Sequence, residues 1–151
     1  MRSALLTAAA SSALLASAML GLAGPAQSGA SPDPAAAAAQ HLAAIIRRDD
    51  ATAGPRLNAV IAFNPRALVE ARAKAQTGLL RGRTVLIKDN IETREWPTTA
   101  GSLALAGNMT GRDAPLVARL RAEGGVVLGK TNLSEWANIR SNRSSSGWSA
   151  I

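Results

Sequence analysis

Apolar and polar positions along the chain change spacing several times, and the changes outline its elements. Leu42, Ile45 and Ile46 share one face of a helical repeat, which predicts a helix from about Ala35 to Arg48. Asp49-Asp50 and then Gly54-Pro55 mark its end. Leu57 to Phe63 is a brief apolar segment. Asn64-Pro65 then predicts a second helix, with Asn as cap and Pro in the first turn, reaching about Gln76. Within it Glu70 and Lys74 are spaced for a favourable i,i+4 pair. Gly78 and Gly82 bracket a turn, and Thr84-Val85-Leu86-Ile87 follows without alternation, the pattern of a strand covered on both faces. Residues 92 to 112 read as irregular, punctuated by Pro97, Gly101, Gly107 and Gly111. Asp113 is the expected cap of a third helix through Glu123, with Leu116, Val117 and Leu120 facing inward. Gly124-Gly125 closes it, and Val126-Val127-Leu128 is the next strand. No internal repeat is visible. Strands alternating with helices predict an α/β fold with a mixed, largely parallel sheet flanked by helices.

The first thirty residues follow a different pattern. Met1-Arg2 gives a positive start, and Ala4 to Ala23 is an almost unbroken run of small and apolar residues. Gly24-Pro25 breaks the run, and Ala26 and Ser28 stand at the spacing of a cleavage site after Ser28, with cleavage after Ala23 as the rival. This is the three-part layout of a secretory signal peptide, expected to occupy residues 1–28. Ser and Ala make the run only weakly apolar, which favours cleavage over a membrane anchor. The expectation is an exported protein, secreted or periplasmic, without stable membrane association after cleavage. Residues 29–56 would then be a linker and N-terminal helix, and residues 57–151 the functional region.

Composition removes several chemistries. The sequence of 151 residues has no Cys, no Tyr and one His. Disulfides, a thiol nucleophile and clustered His or Cys metal sites are thereby excluded, and no metal or cofactor is expected. His41 stands on an Ala-rich helix with no motif around it and reads as a partly exposed surface residue. The net charge of +7 comes from scattered Arg, and only one Phe and three Trp could stack on bases, so no nucleic-acid partner is expected. Any catalytic base must be a carboxylate or a lysine.

One motif match is misleading. Gly124 to Thr131, G-G-V-V-L-G-K-T, fits the spacing of a nucleotide-binding P-loop. In such a loop the variable residues wrap phosphates with their backbone N–H groups. Here three of the four are Val126, Val127 and Leu128, which prefer an extended, buried strand whose N–H groups are taken up by a sheet. A helix, not a strand, also precedes the first Gly. The match carries no nucleotide site.

Lys88 follows directly on the apolar run, where its strand ends. In open α/β sheets, ligands bind beyond the carboxyl ends of the strands. Two readings are open from position alone. The ammonium can reach water past the strand end, as most lysines do. Alternatively its stem stays in apolar surroundings, its pKa falls from the usual value of about 10.4, and the neutral amine serves as a base for a hydroxyl nucleophile.

The motifs around it bear on that choice. L-N-A-V (57 to 60), V-L-I-K-D-N-I (85 to 91), T-T-A-G-S (98 to 102), the stretch from Asp113 to Asn138 ending G-K-T-N-L-S-E-W-A-N, and S-G-W-S-A (146 to 150) occur in this order. The ordered set resembles the amidase signature family. It is most similar to the peptide amidases, through S-L-A-L after A-G-S and the L-S-E-W-A-N and S-G-W-S-A pair. The resemblance runs from about Leu57 to Ile151. It implies the amidase signature fold, incomplete in this chain, and hydrolysis of linear carboxamides, including C-terminal peptide amides. It also implies a Ser–Ser–Lys triad in which Lys88 acts as base through a bridging serine on a nucleophilic serine. The substrate would be a small-molecule or peptide amide. In the family both serines lie in Gly/Ser-rich segments downstream of S-G-W-S-A, so residues 57–151 would be the N-terminal part of the domain and this chain alone would be inactive.

Other residues receive bounded roles. Lys130, in G-K-T-N, is read as structural. Ser144-Ser145-Ser146-Gly147 aligns with the polar loop before S-G-W-S-A and reads as a surface or pocket-rim loop, not as the bridging serine. Gly82-Arg83-Thr84 departs from the Gly-Ile-Pro usual in the family, which leaves the entry to the Lys88 strand less fixed. Asn108, Asn132 and Asn142 match N-x-[ST] and are assigned no role. Two rival functions share the motifs: an amidotransferase A-type subunit, which an export signal disfavours, and a secreted, non-catalytic binding protein derived from an amidase.

Overall fold

The computed structural model describes residues 32–49, 52–138, 143 and 145–148. The expected export signal at 1–28 lies outside the described residues. The elements are α1 (Pro34–Asp49), β1 (Val60–Phe63), α2 (Ala67–Ala73), β2 (Thr84–Lys88), α3 (Pro115–Ala122) and β3 (Val126–Thr131). Short 3₁₀ turns span Leu103–Leu105 and Glu135–Asn138. The strands form a mixed three-stranded sheet in the order β1-β3-β2. β1 runs antiparallel to β3, and β2 runs parallel to it.

β3 is central, and its composition shows why. Every residue from Val126 to Lys130 is buried. Alternation along the strand sends Val126 and Leu128 to one face and Val127 to the other. On the first face they meet Ala38 of α1 and Ala67 and Ala71 of α2, with Ile45 alongside. On the second, Val127 meets Ile87 of β2 and Val117 of α3, with Val85, Trp96 and Leu120 around them. Small alanines on α1 and α2 let both helices approach the sheet closely. Gly129 allows a second close approach, because a Cβ there would stand 2.1 Å from the Ala62 carbonyl oxygen of β1.

The fold class and element order match the sequence reading, and five local expectations change. β2 is not covered on both faces: Leu86 is 40% exposed, and the strand has a described partner only in β3. An unbroken apolar run marks a strand that packs well, but it does not say which strand lies in the middle. The second helix is regular only from Ala67, although Asn64 still makes a cap bond to the turn before it. Its carboxamide nitrogen donates to the Val127 carbonyl (2.9 Å), and its oxygen accepts from the Arg66 N–H (2.8 Å), so it braces the turn against β3. The Glu70–Lys74 pair is replaced by other bonds. The Lys74 amine donates to the Gly125 carbonyl (3.0 Å), and Glu70 accepts from Asn64 (3.3 Å). Finally, Asp113 does not cap α3, whose first position is Pro115. Its carboxylate instead pairs with Arg121 at 3.0 Å. Leu116, expected to face inward, faces outward, while Val117 and Leu120 face inward as expected.

Candidate active site

The apolar run of β2 carries the chain to its carboxyl end, where Lys88 pairs in register with Thr131 of β3. Main-chain bonds fix the exit. The Asp89 N–H donates to the Thr131 carbonyl (3.0 Å), and the Ile91 N–H donates to that of Lys88 (2.9 Å). Alternation places Lys88 on the face opposite Ile87, and its side chain is exposed. The apolar cover expected for its stem is not supplied by the described residues.

The buried lysine is Lys130. Its register partner in β2 is Ile87, so it stands on the face opposite Lys88. Residue 130 is 0% exposed and its amine lies 3.2 Å from an oxygen of Asp89, itself 1% exposed. The amine also donates to the carbonyls of Ile91 (2.8 Å) and Pro97 (3.4 Å). Burial pushes the Lys130 amine below the ordinary lysine value, and the Asp89 carboxylate works in the opposite direction. The K-D-N and G-K-T-N motifs are thus joined by one buried ion pair. G-K-T itself lies in β3 with its backbone engaged in the sheet, which leaves no phosphate-wrapping loop there.

The remaining motifs gather on the same loop. Asp89 accepts from the Thr99 hydroxyl and from the Thr99 N–H (3.3 Å). Thr99 Oγ1 in turn accepts from the Trp148 indole N–H (3.0 Å). The Gly147 N–H donates to the Gly101 carbonyl, and the Trp136 N–H to that of Ala100, both at 2.8 Å. Ser102 Oγ donates to Glu135 at 2.5 Å. Ala100, Trp136, Ala137 and Asn138 all hold positive φ, between 50° and 62°. That conformation costs non-glycine residues energy, and it persists where surrounding bonds over-determine it. A cavity of about 190 Å³ opens between Ile61, Asp89, Pro97, Thr99, Lys130 and Trp148.

Chemically, these residues offer an accessible amine on Lys88 beside a rigid, charge-balanced base. His41 is exposed, with Nδ1 2.8 Å from Thr84 Oγ1 at the opposite end of β2, which fits its reading as a surface residue. Ser146 ties loops together by donating to Asn132 Oδ1 (2.6 Å), while Ser144 and Asn142 lie outside the described residues. The Asn108 side chain donates to the Thr98 carbonyl. No group of three acidic, His or Cys side chains able to hold a metal occurs among the described residues. The sequence reading did not single out Asp89, Thr99, Ser102, Glu135 or Trp148 as site residues. The available signal was that each lies inside one of the quoted motifs, although nothing local says that those motifs touch.

Comparison with known proteins agrees with this assembly. The amidase family model matches residues 41–147. A probable amidase of Arabidopsis thaliana is 46% identical over 106 residues, covering 64% of this chain and 21% of the relative. The A-type subunit of a glutamyl-tRNA(Gln) amidotransferase from Cupriavidus metallidurans is 44% identical over 100 residues, covering 62% and 20%. The native peptide amidase from Stenotrophomonas maltophilia superposes with a TM-score of 0.65 and 49% identity, over 78% of this chain and 25% of that one. The chain therefore spans only about a fifth of these curated relatives and a quarter of that structure. With the motifs converging on one loop cluster and the model matching from α1 through Gly147, the chain belongs to the amidase family.

Proposed function

We propose that this chain is the lysine-bearing part of an exported amidase that hydrolyses carboxamides, with C-terminal peptide amides as the substrate class. The observation that supports it most is the convergence of K-D-N, T-T-A-G-S, L-S-E-W-A-N and S-G-W on the end of the β2–β3 pair. In this reading Lys88 takes a proton, through a bridging serine, from a serine that attacks the amide carbonyl. An acyl-enzyme forms, and the lysine returns the proton as ammonia leaves. Both serines come from further parts of the domain, which also cover Lys88 and strip water from its amine. The described residues then form the rigid half of the site, and residues 29–151 alone hydrolyse no amide. Export rests on the pattern of residues 1–28, and the protein is expected to be secreted or periplasmic.

The test is to express the complete gene product and supply a peptide amide. Equal release of ammonia and free peptide carboxylate is expected, from a protein whose N-terminus has lost Met1. Absence of amide cleavage would contradict the activity, and an intact Met1 on exported protein would contradict the signal. The likeness to the amidotransferase protein supports one rival, in which ammonia is released for transfer to another substrate. It requires a cytosolic protein, so the N-terminal sequence separates the two.

A further inference from the structure

His41 and the departure Gly82-Arg83-Thr84 play no part in the proposed reaction, yet the fold brings them together at the end of β2 remote from Lys88. Gly82 makes this possible. A Cβ there would stand 2.3 Å from the Ala71 carbonyl oxygen and 2.9 Å from Pro34 Cβ, so only glycine lets the turn before β2 seat against α1 and α2. Between that turn and α1 runs a groove of about 580 Å³. Pro34, Ala37 and Leu79 give it apolar walls, and Leu79 is 83% exposed. His41, Arg81 and Arg83 give it a basic rim. Thr84 Oγ1 holds the His41 ring at Nδ1 (2.8 Å), a bond that the family's Pro could not make.

Two features set this rim apart from an ordinary surface. Both arginines are exposed and, among the described residues, neither forms an ion pair. The nearby carboxylates are engaged elsewhere: Asp33 with Arg72 (3.7 Å) and the Ala35 N–H (3.0 Å), and Glu123 with the Leu79 N–H (3.1 Å). Arg81 also holds a positive φ of 47°, a conformation that glycine adopts at lower cost. The turn enforces it, because the N–H groups of Leu80, Arg81 and Gly82 donate to the carbonyls of Glu123, Thr77 and Gly124 (2.8, 3.1 and 2.9 Å). Backbone strain of this kind persists at ligand clamps.

We propose that this groove binds a small amphipathic anion, a carboxylate or phosphate head on a short apolar body. The guanidinium forks of Arg81 and Arg83 take the oxygens in paired hydrogen bonds, and the apolar walls take the body. The volume suits a ligand of that size. The groove lies at the far end of β2 from Lys88, so its occupancy does not depend on Lys88 being a base.

The test is calorimetric titration of the complete gene product with hexanoate, hexyl phosphate and inorganic phosphate. One or both organic anions are expected to bind, and the tighter of the two identifies the head group. Inorganic phosphate, lacking the body, is expected to bind at least about tenfold more weakly than that tighter anion. Arg83→Met keeps the stem and removes the charge, and it is expected to weaken binding about tenfold. Arg81→Gly is expected to do the same although glycine suits the backbone there, so misfolding does not account for the loss. Lys88→Ala is expected to leave binding unchanged. Absence of binding by both organic anions, equal binding of inorganic phosphate, undiminished affinity in the two arginine variants, or loss of binding in Lys88→Ala overturns the proposal. No amide is turned over in this measurement, so an inactive gene product would count against the proposed function and leave this result standing.

Discussion

At the scale of single residues, the two lysines of the motifs divide their labour in a way that burial alone reveals. From sequence, both follow apolar runs, and desolvation is expected at Lys88. In the structure Lys88 is exposed and Lys130 carries the desolvation. The difference is one of strand position, since β3 has neighbours on both sides and β2 has a described one only in β3. Lys130→Met leaves Asp89 buried without its counter-charge, and a loss of about 3–5 kcal/mol is expected in denaturant unfolding of the chain. Lys130→Met/Asp89→Asn removes both charges and should recover much of that loss. The pH dependence has a definite sign. A lysine whose folded value lies below its unfolded one binds fewer protons when folded, so stability rises with pH between the two values. Unfolding midpoints should climb from the lowered value up to the ordinary lysine range, about 10.4, by an increment that Lys130→Met abolishes. A flat profile in both proteins would contradict the assignment.

At the scale of elements, the types and order of helices and strands were legible because periodicity reports them, while their ends were not: the second helix, expected to reach about Gln76, stops at Ala73. α2 is regular only from Ala67, although the Asn64 oxygen accepts from the Arg66 N–H while its nitrogen bonds across to Val127, sixty-three positions away. α3 loses its expected cap because Asp113 is drawn to Arg121. The Asp113 case is a tertiary bond overriding a local capping preference, whereas Asn64 makes a local and a tertiary bond together. The strand within the P-loop spacing was legible for the opposite reason, since three β-preferring residues between the glycines need no tertiary partner to declare themselves. Gly129 shows what such spacing hides: it is required by β1, not by a phosphate. Gly129→Ala would drive its methyl into the Ala62 carbonyl oxygen. A cost of about 1–3 kcal/mol is expected from overpacking, together with loosened β1–β3 amides in hydrogen exchange. Unchanged exchange at Ala62 and Phe63 would show that β1 does not approach β3 as described.

At the scale of the whole molecule, the order of motifs in the sequence carried the family, and the structure shows those motifs meeting. Segments from Leu57 to Trp148 return to one end of a three-stranded sheet, where Asp89, Thr99 and Trp148 are linked by consecutive hydrogen bonds. What stayed illegible is the contact pattern between loops. Each loop is polar and glycine-rich, so no periodicity announces its partners. In the proposed function this frame presents Lys88 as the proton acceptor of an amide hydrolase. That role is tested most directly by steady-state kinetics of the complete gene product on a peptide amide, wild type against Lys88→Ala. A fall in kcat/KM of about 10²–10⁴-fold is expected, with folding intact. Turnover that survives the substitution undiminished would contradict it.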